Sequence, residues 1–78
     1  DMLLTLTPTQ LQVLRLASAG YTNAAIARRR GTSERAVEML LQSASTRLGV
    51  VAESERNTRV VTIRRYLEAA GLAGASGE

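Results

Sequence analysis

The sequence predicts an all-α domain of four short helices. Three observations lead there. Gly20, Gly31, Gly49 and Gly71 punctuate the chain, and glycine just past a helix accepts the left-handed turn that other residues resist. Between these glycines apolar residues recur at three- and four-residue spacing, and no alternating strand pattern appears. The apolar content is almost wholly aliphatic, with aromatics at 3% and neither Trp nor Phe. The core is therefore Leu, Val, Ile and Ala, which suits helices packed closely together.

The first helix is expected over Pro8 to Ala19. Thr7 is its N-cap, Pro8 sits at the first helical position where a missing N–H costs nothing, and Gln10 completes a capping box. Leu6 and Leu11 stand at the positions of a hydrophobic staple. Val13, Leu14 and Ala17 form the inward stripe, with Leu11 and Leu16 at its edges. The second helix starts after Thr22 and runs from Asn23 to Arg30, with Tyr21 and Ile26 at staple positions. Gly31 makes the turn. The third helix starts after Ser33, with Glu34 favourable near its positive end. Its inward side reads Val37, Leu40, Leu41, Ala44 and Leu48, its outward side Arg35, Met39, Gln42 and Thr46, and Gly49 ends it.

Residues 50–54 link to a last helix expected over Glu55 to Ala70. Its apolar stripe is Val60, Ile63, Leu67 and Ala70, widened by Val61 and flanked by Arg56, Arg59, Arg64 and Arg65. Residues 1–5 read as a tail or linker, 6–70 as the domain, and 71–78 as a disordered tail.

A short stapled helix, a glycine turn and a longer helix outline a helix-turn-helix, whose second helix lies in the major groove of DNA. Composition leaves little room for other functions. The 78 residues make one small domain. With no Cys there is no disulfide or thiolate chemistry, and with no His the usual general base and the commonest metal ligand are missing. Glu34, Glu38 and Glu53 are dispersed rather than paired, and no glycine-rich phosphate loop or metal spacing occurs. No catalysis and no cofactor are expected. No apolar run approaches the ~20 residues of a membrane span, no secretory pattern opens the chain, and a cytoplasmic location is expected.

Formal net charge is +3, and all ten basic residues are Arg. A GC-rich genome accounts for most of that bias. The planar Arg fork nevertheless suits phosphate, so the balance is compatible with a nucleic-acid partner.

Leu6-Thr7-Pro8, Val13-Leu14-Arg15-Leu16, Gly20-Tyr21-Thr22-Asn23, Ile26-Ala27, Ser33-Glu34, Val37 and Leu48-Gly49-Val50 together resemble the LuxR-type (GerE-type) DNA-binding domain. The resemblance covers about Leu6 to Val50. It implies a four-helix LuxR-type helix-turn-helix domain of a bacterial transcription regulator, with the third helix as recognition helix and the last as dimerisation element. It further implies a sensory or receiver domain N-terminal to this one in the parent protein, as in a response regulator. The chain departs from the family's pattern at several points. Thr9 and Gln10 replace an Arg-Glu pair, Arg30 stands where a buried Leu is usual, and Thr32 where an apolar residue follows the turn. The family's Val-Lys-x-His becomes Val37-Glu38-Met39-Leu40, so an acid occupies the place of a Lys that commonly touches DNA. The link before the last helix is also longer than usual.

The candidate DNA-contacting residues are Thr22, Asn23, Arg28, Arg29, Ser33, Arg35, Met39, Gln42, Thr46 and Arg47. Arg28 and Arg29 are expected to hold phosphates, since in this motif the helix before the turn crosses the backbone. Gln42 suits adenine, Arg35 guanine or phosphate, and Met39 a thymine methyl. Arg47 favours the helix dipole or a phosphate. The plainer alternatives are a solvated basic face and an ordinary polar helix surface. Val60, Ile63 and Leu67 are candidates for homodimerisation, one edge of the stripe facing the core and the other a twofold-related copy. The expected partners are double-stranded DNA and a second copy, with no membrane and no small-molecule ligand. A competing function is a helix-turn-helix turned protein-interaction module, presenting Met39, Leu40 and Leu41 to polymerase, a sigma factor or its own sensory domain. A third is a promoter-binding domain like region four of a sigma factor.

Overall fold

The computed structural model describes residues 5–50 and 54–71. It contains four helices, α1 (Pro8–Ser18), α2 (Asn23–Arg30), α3 (Glu34–Arg47) and α4 (Glu55–Ala69), and no strand among the described residues. The tail expected at 71–78 apart from Gly71, residues 51–53 of the link, and residues 1–4 lie outside the described residues.

Each helix start is closed by a hydroxyl that accepts an otherwise orphaned backbone N–H. Thr7 Oγ1 accepts from the Gln10 amide at 3.1 Å, and Gln10 Oε1 accepts from the Thr7 amide at 2.9 Å, completing the expected box. Thr22 Oγ1 caps α2 through the Ala25 amide and Ser33 Oγ caps α3 through the Ala36 amide, both at 3.1 Å. Ser54 does the same for α4 through Asn57 at 3.2 Å. The bounds of α2 are those expected. Helices α1 and α4 each stop one residue early, with Ala19 and Ala70 as C-caps. Gly31 has φ 70° and ψ 34°, the left-handed geometry that lets the chain turn sharply between α2 and α3.

Replacing Ser33 with alanine leaves the Ala36 amide without its side-chain acceptor. The expected cost is about 1 kcal/mol, or about 4–8 °C of melting temperature for a domain this small. A thermal melt followed by circular dichroism checks it, and an unchanged midpoint would show that α3 does not depend on this cap.

The core has two parts. Leu6, Leu14, Ala44, Leu48 and Tyr66 join α1, α3 and α4, with Leu11, Leu41, Val50 and Leu67 packed around them. Val13, Ala17, Ile26, Ala27 and Val37 join α1, α2 and α3, flanked by Leu16, Tyr21, Leu40, Leu41 and Ile63. Leu41 touches both parts and makes them continuous. Val13, Leu14 and Ala17 of the stripe expected on α1 are buried, as are Val37, Ala44 and Leu48 of the one expected on α3, with Leu40 and Leu41 half-buried.

Helix α4 departs from expectation. Its fully buried residues are Thr62 and Tyr66, not the column Val60, Ile63, Leu67 and Ala70. Ile63 and Leu67 are half-buried beside them, whereas Val60, Val61 and Ala70 are exposed. Two physical causes account for the shift. The Thr62 hydroxyl donates to the Thr58 carbonyl at 2.6 Å, so burying it leaves no polar group unsatisfied. Arg59 and Arg65 donate to carbonyl oxygens of Tyr21 and Leu48, both at 2.9 Å, and turn their side of the helix inward.

Candidate nucleic-acid interface

Helix α3 is anchored from behind by Val37, Ala44 and Leu48, each 0% exposed. That anchoring leaves Arg35, Met39, Gln42 and Thr46 on the outward side, all exposed. Met39 is 56% exposed, more than any other large apolar side chain described. Glu38 shares this side and is half-buried, its Oε1 lying 3.8 Å from Arg35 Nη1. The Gln42 carbonyl accepts from the hydroxyls of Ser45 at 2.7 Å and Thr46 at 3.1 Å, while the Gln42 amide group faces outward uncommitted.

An open groove of about 470 Å³ runs between this side of α3 and the first half of α4. Asn23, Arg35, Met39, Gln42 and Thr46 line it, so five of the ten DNA-contact candidates come together there. Glu38, Arg59 and Thr58 line it too. Arg59 was expected only on the flank of a stripe. It bridges the groove's end, Nη1 donating to Asn23 Oδ1 at 2.5 Å and Nη2 to the Tyr21 carbonyl at 2.9 Å. No local sequence signal marks this link, because its partners are 36 and 38 residues apart.

The remaining candidates lie elsewhere. Thr22 and Ser33 are exposed, with their hydroxyls used as caps. Arg28 is exposed on α2. Arg29 is exposed with its guanidinium carbon 5.3 Å from the centre of the Tyr21 ring, a cation–π contact that fixes its base. Arg29 also borders a shallow basic depression with Gln12, Arg15, Leu16 and Arg30. Arg47 donates from Nη1 to the Thr5 carbonyl at 2.7 Å, tying the entry of α1 to the end of α3.

Residues 4–57 match the family described as bacterial regulatory proteins, luxR family. The chain belongs to the LuxR family. It is a helix-turn-helix DNA-binding domain of that type, and the family is one of regulators rather than enzymes. No curated protein and no solved structure matches the chain. Among the described residues no helix is long and apolar enough to cross a membrane.

The departures of this LuxR-family domain fall where they can be borne. Arg30, in place of a buried Leu, is half-buried, and its guanidinium donates from Nη1 to Gln12 Oε1. Its Nε is buried without a hydrogen-bond partner among the described residues. Thr32 is exposed, so no apolar contact is lost there. Glu38 is the departure on the outward face itself.

Proposed function

We propose that this domain binds double-stranded DNA within a bacterial transcription regulator, with α3 reading the major groove and α4 pairing two copies. The observation that carries the reading is the outward face of α3. Arg35, Met39 and Gln42 are exposed together, on a helix rigidly held by Val37, Ala44 and Leu48. Those are a guanine or phosphate partner, a thymine-methyl partner and an adenine partner at one helical spacing. Arg28 and Arg29 supply phosphate contacts from α2.

Pairing through α4 draws on Val60 and Val61, 49% and 37% exposed. Ile63 and Leu67 divide their surface between the domain's own core and the partner copy. A role within the cytoplasm, under a sensory or receiver domain, fits the same reading. The interaction-module alternative needs Met39, Leu40 and Leu41 as one exposed patch. Leu40 and Leu41 instead pack half-buried against the core, so the patch reduces to Met39.

Titrating the folded chain with mixed-sequence duplex tests the proposal. Arg28→Ala weakens binding to all sequences alike, whereas Gln42→Ala changes base preference at one position. Failure of the folded, dimer-competent chain to bind any duplex at low salt would overturn it in favour of a protein partner.

A further inference from the structure

Glu38 places a carboxylate in the middle of a face meant for a polyanion. It lines the groove with Arg35, Met39 and Gln42, and its side chain is 42% exposed. A carboxylate only accepts hydrogen bonds. In the major groove the donors are the exocyclic amines of cytosine (N4) and adenine (N6), and adenine sets the acceptor N7 beside its amine. That neighbouring lone pair repels the second carboxylate oxygen, so cytosine is the better partner. Gln42, which both donates and accepts, suits adenine instead.

Arg35 makes the acid tolerable. Its side chain is 79% exposed and its Nη1 lies 3.8 Å from Glu38 Oε1, close enough to offset charge and too far to consume either group's hydrogen bonds. The two side chains thus present a donor beside an acceptor. The edge of a C·G pair presents the complement, the cytosine amine beside guanine O6 and N7.

We infer that Glu38 is a specificity-determining residue, accepting from cytosine N4 in the major groove while Arg35 screens its charge and addresses the paired guanine. This rests on the reading that α3 enters the groove. The test is binding-site selection from randomised duplexes with the parent chain, Glu38→Gln and Glu38→Ala, with melting curves confirming that each is folded. The parent selects cytosine at one position by about tenfold, the scale of one good base contact. Glu38→Ala reduces that preference to what Arg35 reads of the paired guanine, and Glu38→Gln lets adenine compete there, while every other position keeps its base. If both variants select the same bases as strongly as the parent, the inference fails and groove reading by α3 stands. If the folded parent binds no duplex, the inference fails together with the reading beneath it.

Discussion

Replacing Leu14 with alanine removes about 2–5 kcal/mol of stability, a large part of the about 5–15 kcal/mol that folded domains possess. Leu14 is 0% exposed at the junction of α1, α3 and α4. Its neighbours leave the site unable to collapse. Ala44 opposite is already small, Leu48 and Tyr66 are held on separate helices, and Leu6 is fixed by the capping box beside it. The cavity therefore stays open, and the lost contacts are added to the lost transfer energy. At about 4–8 °C per kcal/mol for a domain of this size, the melting temperature falls by at least about 8 °C. Urea unfolding measures the change directly. A midpoint equal to the parent's would mean that the packing of α1 on α3 and α4 does not depend on Leu14.

Whatever was fixed within a turn or two of chain was legible in the sequence. The α2 bounds follow from Thr22, four residues of local hydrogen bonding, and the turn at Gly31. The outward face of α3 follows from helical spacing between Ser33 and Gly49, and the exposed residues are the ones that spacing selects. The rotation of α4 was not legible in that way. An apolar stripe and a stripe centred on Thr62 and Tyr66 are adjacent columns of one helix, and hydropathy favours the wrong one. The choice is made by Arg59 reaching Asn23 and Tyr21, and by Arg65 reaching Leu48. Such long-range donors leave no periodic trace.

The same limit governs the candidate interface. Asn23 and Arg47, both candidates for DNA contact, are also engaged within the domain, by Arg59 and by the Thr5 carbonyl. A free arginine and one already donating to a carbonyl are identical in sequence. The spacing of Arg35, Met39 and Gln42 was readable because it belongs to a single helix. The groove they share with α4 was not, because it needs the packing of two.

Raising salt from about 50 to about 200 mM weakens binding to mixed-sequence duplex roughly 12-fold, if each chain neutralises about two phosphates. The estimate of two comes from which arginines are still uncommitted. Arg30, Arg47, Arg59 and Arg65 donate to Gln12, Thr5, Asn23 with Tyr21, and Leu48. Around the helix-turn-helix that leaves Arg28 and Arg29, both exposed on α2, since Arg35 lies beside Glu38 and is directed at a base. Arg29 keeps its cationic head available because the Tyr21 ring takes only one of its faces. Two copies on adjacent half-sites double the exponent, so a dimeric complex loses affinity on the order of 10²-fold over the same salt range. Arg28→Ala lowers the slope of log affinity against log salt by about one per chain. Gln42→Ala, which touches no phosphate in this geometry, leaves the slope alone. A slope near zero for the folded parent would mean that these arginines are not held by a polyanion. The basic surface of α2 would then be only a solvated face.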